Sequence, residues 1–183
     1  MWSMCVYDYA VERYVSHSDP FVLWGTCQGF QCSCTAVAQD ISVVENGFVG
    51  VEWTMLPLEM SEEVVMDEEA KVRLLGPHLT PLHVATAVRQ SPSTLNVHRW
   101  GVSPTVFATN AKLSAAFHVL ATNVDAKGRR FVSLIEHKGG VPIFAAQFHP
   151  EWPPYDFSND RAWNRQRRAS PYLPGLRSSY ECN

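Results

Sequence analysis

Apolar and polar positions along the chain fall into several rhythms, and each change of rhythm marks an element. Residues 1–19 are mixed, with aromatics at Tyr7, Tyr9 and Tyr14, and fit a short helix ending before Ser18-Asp19-Pro20. The four apolar residues of "FVLW" (21–24) then predict a short buried strand. "GTCQG" breaks the run, and Phe30, Cys34, Val37 and Ala38 recur at the spacing of one helix face. "ISVVENGFVGVEWTMLPLEM" carries β-branched residues on both sides of Asn46-Gly47, the signature of a hairpin. "GPHLTPLHVATAVRQSPS", with three prolines, reads as loop with one short helix. From residue 115 the rhythm is that of strands: "AAFHVLATNV", "RFVSLIEH" and "VPIFAAQF", joined by "DAKGR" and "KGG". These three predict an antiparallel meander or part of a mixed sheet.

Two segments stand apart by their charge. Glu59, Glu62, Glu63, Asp67, Glu68 and Glu69 form an acidic cluster that reads as a solvated face. Residues 158–183 contain five arginines, few aliphatics and two prolines, and are expected to form a basic, poorly ordered tail beyond a domain spanning 1–157.

Composition narrows the class without naming a chemistry. At 183 residues, 46% hydrophobic and 18% charged, the chain suits one globular domain. A net charge of -3 gives no electrostatic case for nucleic acid or an anionic membrane surface. No run approaches eighteen apolar residues, and the first residues lack the pattern of a signal peptide. The five cysteines do not form a disulfide framework, and Cys27, Cys32 and Cys34 give C-x4-C-x-C, which fits no usual zinc spacing. His17, His78, His83, His118 and His137 are scattered.

The cysteine turn is the candidate chemistry. A strand entering a helix through a tight turn projects one side chain at the sheet's carboxyl edge, as in the G-x-S-x-G elbow, and "GTCQG" puts a thiol there. The helix's free N–H groups and its dipole favour a thiolate, and the N–H of Gln28 supplies half of an oxyanion hole. A thiol nucleophile needs a base and a group that orients it. "QFHPEWPPY" offers both, with His149 and Glu151 on one side of an extended segment and Pro150 fixing the turn.

The blocks "LWGTCQGFQ", "LNVHRWGVSP" and "AAQFHPEWPPYDF", in that order, resemble the γ-glutamyl hydrolases, folylpolyglutamate-cleaving members of the class I glutamine amidotransferase-like superfamily. The resemblance covers residues 20–157. It implies an α/β, flavodoxin-like three-layer fold, incomplete at its N-terminus and carrying the antiparallel meander near its C-terminus. It also implies Cys27 as nucleophile, His149 as general acid/base, Glu151 as third member, and His98 in the cleft beside Gln28 and Gln31 as substrate-binding residues. Trp100 and Trp152 are read as packing or cleft wall. No cofactor or metal is implied. The expected partner is a small-molecule substrate, a folylpolyglutamate or other γ-glutamyl peptide, with a second copy of the chain as a candidate. By kinship the compartment is lysosomal, vacuolar or extracellular.

The sequence departs from that pattern in two places. Family members carry upstream strands and a second oxyanion donor, so a sheet lacking them is expected to expose a hydrophobic edge. Gln31 stands where the hydrolases often carry an acid, whereas glutamine amidotransferases favour G-x-C-x-G-x-Q. Two alternatives therefore stand beside the hydrolase: a glutaminase module passing ammonia to a synthase, and an inactive truncated homologue.

Overall fold

The computed structural model describes residues 2–17, 19, 21–61, 72–76 and 80–151. In chain order these form α1 (Trp2–His17), β1 (Leu23–Thr26), α2 (Gln28–Ala38), a 3-10 turn at Ile41–Val43, β2 (Glu45–Asn46), β3 (Thr54–Leu56) and β4 (Glu59–Met60). There follow α3 (Leu82–Gln90), β5 (Thr94–Asn96), β6 (Trp100–Gly101), α4 (Pro104–Thr109), α5 (Ala111–Ala116), β7 (Phe117–Val124), β8 (Arg130–His137) and β9 (Ile143–Ala146). The central sheet has the order β1-β9-β8-β7-β4. β7, β8 and β9 make the expected antiparallel meander, and β1 joins β9 in parallel, so the sheet is mixed.

β8 is buried on both of its faces because each face of the sheet is covered: Phe131 through Glu136 are all buried, as a central strand requires. One face packs on α1, α2, α4 and α5 through Ala10, Phe30, Cys34, Phe107, Leu113, Val132, Ile135 and Ile143. The helix face read from spacing is thus the one that meets the sheet: Phe30, Cys34 and Ala38 are buried and Val37 packs beside them. The other face gathers Leu58, Leu120, Leu134, Ala146 and Phe148 under Val72, Leu74, Leu75 and Val88.

A half-buried ion pair fastens residues 72–76 to that second face. The carboxylate of Glu136, fully buried in β8, accepts from the backbone N–H groups of Arg73 and Leu74 and from Arg73 Nε at 2.8–3.0 Å. The Arg73 guanidinium continues to the carbonyls of Gly140 and Val141 and lies over the Phe144 ring. Among the described residues these contacts of the carboxylate all go to one short segment, which therefore acts as a clasp.

Two expectations are corrected. Asn46-Gly47 does not close a hairpin: β2 pairs with the remote β6, and the N–H groups of Gly47 and Phe48 both donate to the carbonyl of Arg99. Phe48 and Val51 then bury against Phe131 instead of forming a return strand. Residues 21–24 are not a buried run either. Among the described residues β1 lies at the edge of the sheet, leaving Val22 64% and Trp24 44% exposed. The acidic residues from 62 to 69, Trp152, His78 and the basic tail lie outside the described residues.

Candidate active site

β1 and β9 run side by side with Thr26 opposite Ala146, so whatever follows each strand emerges at the same sheet edge. Cys27 follows one and Gln147-Phe148-His149 the other. The N–H of Cys27 donates to the carbonyl of Ala146 at 2.7 Å, which ties the turn to β9 beyond the last paired residue. Cys27 itself has φ 50 and ψ -100, a left-handed conformation that a side chain rarely adopts. α2 begins at the next residue.

The two glycines around the thiol serve different ends. A Cβ at Gly25 would lie 2.8 Å from the carbonyl carbon and oxygen of Gly29, so only glycine allows β1 and the first turn of α2 to approach this closely. A Cβ at Gly29 would meet nothing within 4 Å. Close packing therefore requires glycine at position 25 and not at position 29.

Around the sulfur, the N–H of Gln28 and the side-chain amide of Gln147 both donate, the latter from 3.7 Å. Burial nevertheless raises the thiol above its ordinary value, and the charge of Glu151 adds to that, outweighing the two donors. The expected resting thiolate is thus corrected: the half-buried sulfur holds its proton and needs a base. At the end of β9, the backbone N–H of His149 donates to the carbonyl of Leu95, and His149 Nδ1 meets Glu151 Oε1 at 2.7 Å. The carboxylate thereby orients the ring through one of its two nitrogens.

A cleft of about 630 Å³ opens over the turn, lined by Cys27, Gln28, Gln31, Cys32, His98 and Trp100 among others. Trp100, half exposed, forms part of its wall, as expected. His98 is buried, its Nδ1 donating to the carbonyl of Trp100 at 3.0 Å and its Nε2 lying 3.2 Å from the side-chain oxygen of Asn96. Burial, with the nearby charge of His149, holds His98 down at about 4, so it stands in the wall as a neutral ring. Gln31 donates from Nε2 to the carbonyl of Trp100 at 2.9 Å and to Gln147 Oε1 at 3.4 Å. Glu52 and Arg99 pair across the rim at 3.0 Å and give the cleft a carboxylate and a guanidinium.

Sequence reasoning singled out Cys27, His149, Glu151, His98, Gln28 and Gln31, and all six lie around this one sheet edge. It missed Gln147, and it passed over the Glu52–Arg99 pair. The available signal for Gln147 was a polar residue in an otherwise apolar strand end, "IFAAQF", where a buried amide needs partners. Among the described residues no group of three or more His, Cys, Asp or Glu side chains could hold a metal, and no helix is long and apolar enough to cross a membrane.

Comparison with known proteins gives one family and a consistent set of relatives. The family model for Glutamine amidotransferase class-I matches residues 9–160. The chain is 34% identical over 152 residues to Gamma-glutamyl hydrolase B of Dictyostelium discoideum, covering 83% of this chain and 41% of that protein. It is 30% identical over 153 residues to Gamma-glutamyl hydrolase of Homo sapiens, covering 84% and 44%. It is 27% identical over 146 residues to Gamma-glutamyl hydrolase 1 of Arabidopsis thaliana, covering 80% and 39%. The chain thus spans less than half the length of these curated relatives.

Proposed function

The chain belongs to the class-I glutamine amidotransferase family, and from that premise we propose that it hydrolyses γ-glutamyl amide bonds, with folylpoly-γ-glutamates as the substrate class. The observation that carries this reading is the strained Cys27 turn tied to the end of the strand that leads to His149 and Glu151. The relatives named as γ-glutamyl hydrolases support the choice of bond.

In the proposed reaction His149 takes the thiol proton as sulfur attacks the γ-carbonyl carbon, because burial keeps Cys27 protonated at rest. Negative charge on the carbonyl oxygen is met by the N–H of Gln28. His149 returns the proton to the leaving amine, and the C–N bond breaks to give a thioester. A water that loses its proton to His149 then attacks the thioester, regenerating the thiol. Glu151 holds the imidazole and stabilises its charged form. No step calls on a metal or organic cofactor. Gln31 and His98, whose Nε2 and Nδ1 donate to the carbonyl of Trp100, line the cleft beside the substrate, and Arg99 offers a cation to the substrate's carboxylates.

The test is release of glutamate or shortened folates from a pteroylpoly-γ-glutamate, with Cys27→Ser as control. Turnover by Cys27→Ser at the wild-type rate sinks the assignment of the nucleophile. Gln31, in the G-x-C-x-G-x-Q arrangement, favours a second reading in which free glutamine is hydrolysed and its ammonia passed to a synthase. Ammonia from glutamine, and none from the polyglutamate, would select it. The substrate in either case is a small molecule. Kinship favours a lysosomal, vacuolar or extracellular setting, read by fractionation. Assembly into a homodimer is read by sedimentation.

A further inference from the structure

Gln147 is fully buried, its side-chain amide reaches the sulfur, and the direction of that amide is not arbitrary. The chain of reasons starts at the carbonyl of Trp100, which can only accept. Gln31 must therefore present its NH2 end to that carbonyl, at 2.9 Å. The same NH2 group then faces Gln147 Oε1 at 3.4 Å, which fixes the oxygen end of the second amide. What remains of Gln147, its Nε2, lies 3.7 Å from Cys27 Sγ. Reversing Gln31 would bring oxygen against oxygen at two places, one of them part-buried, and reversing Gln147 would set NH2 against NH2.

We infer that Gln147 is a positioning residue that keeps an N–H donor aimed at the sulfur of Cys27, its orientation set through Gln31 by the Trp100 carbonyl. This rests on the reading of Cys27 as nucleophile and deepens it. The donor favours the anionic sulfur over the thiol, since a hydrogen bond to a charged acceptor is about twice as strong as one to a neutral acceptor. Burial and Glu151 act in the opposite direction, so the relay offsets part of what they impose on the thiol. It also couples the thiol to the strand that follows His98, because Trp100 O accepts from both Gln31 and His98.

Other charged or titratable groups surround the sulfur: His98 and Arg99 before β6, Glu52 before β3 and Cys32 on α2 line the cleft, while after β9 the charge of Glu151 acts on the thiol and that of His149 on His98. None of them is altered in the test. The rate at which iodoacetamide alkylates Cys27 is followed against pH by mass spectrometry of its peptide, which separates it from the other cysteines. Gln147→Met keeps the length and removes the donor. The midpoint of its profile is expected about one pH unit higher, which is about tenfold slower alkylation at a fixed pH below the midpoint. Gln31→Met does not touch the sulfur but releases the Gln147 amide to turn; its midpoint moves the same way by about half as much. A purely structural role for either glutamine would leave both midpoints in place.

An unchanged profile in folded Gln147→Met overturns the inference. If Gln147→Met does not melt cooperatively, an unchanged profile in Gln31→Met overturns it instead. Because alkylation needs no substrate, shifted profiles in a protein that cleaves no γ-glutamyl bond would leave the relay standing and remove the proposed activity.

Discussion

Replacing Gly25 by alanine tests whether the approach of β1 to α2 builds the site. The added methyl would lie 2.8 Å from two backbone atoms of Gly29 and 3.1 Å from the nitrogen of Phe30, where ordinary contact begins at 3.4 Å. The first turn of α2 must therefore retreat by about 0.6 Å, and no flexible side chain can absorb it. α2 resists, because Phe30 and Cys34 are locked in the core with no exposed surface. Overpacking of this kind costs about 1–3 kcal/mol of stability. The retreat also carries Cys27 away from β9, and a displacement of ~1 Å costs about a hundredfold in rate, so a tenfold fall in kcat is expected for roughly half that shift. Gly29→Ala is the control: its methyl meets open space, and alanine in a helix is worth up to about 1 kcal/mol over glycine. Melts and steady-state kinetics on both variants decide the matter. A Gly25→Ala protein with wild-type kcat, or a Gly29→Ala protein as impaired as Gly25→Ala, refutes the reasoning.

Three further outcomes are expected. Cys27→Gly should be more stable than Cys27→Ala by about 1 kcal/mol in urea titrations, because glycine alone tolerates φ 50 without strain; equal midpoints would mean the turn stores none. His98 should tie stability to pH: its folded value near 4 lies below the ordinary 6.5, so the unfolded chain binds the extra proton between those values. Stability is then full above pH 6.5 and falls by roughly 3 kcal/mol towards pH 4, a slope that His98→Gln should flatten and that parallel urea profiles would deny. Glu136→Ala should cost about 1.5–3 kcal/mol by removing the acceptor of the charge-assisted hydrogen bonds from residues 73 and 74, with amide exchange rising first at residues 72–76; protection unchanged there would show that the clasp is held by other contacts.

What the sequence disclosed, and what it withheld, divides along the range of the forces involved. The α2 face was legible because Phe30, Cys34 and Ala38 answer to a local period, and the meander because its turns lie between its own strands. The Asn46-Gly47 turn misled because turn chemistry says only that the chain bends, while the partner of β2 lies at Trp100–Gly101. "FVLW" misled because an apolar run does not say whether its strand is central or at an edge, and Val22 and Trp24 remain exposed. At the site, Cys27, His149 and Glu151 could be singled out as candidates from residue type and motif, and the pairing of β1 with β9 brings their segments together. The protonated state of the thiol could not, since it depends on how deeply the sulfur is buried and on a carboxylate more than a hundred positions later. The same holds for Glu136 and Arg73, whose pairing no local pattern announces.

The pairing of β1 with β9 has a consequence for the order in which the chain becomes dangerous to its surroundings. Cys27 and the residues after β9 are 120 positions apart, and the meander between them must form before the two strands can lie together. A contact of that span closes late, since its loop entropy is offset only once the intervening strands are in place. A chain leaving the ribosome therefore presents Cys27 well before His149, the imidazole proposed to deprotonate it, has been made. On that proposal, reactivity arrives only when β9 docks beside β1.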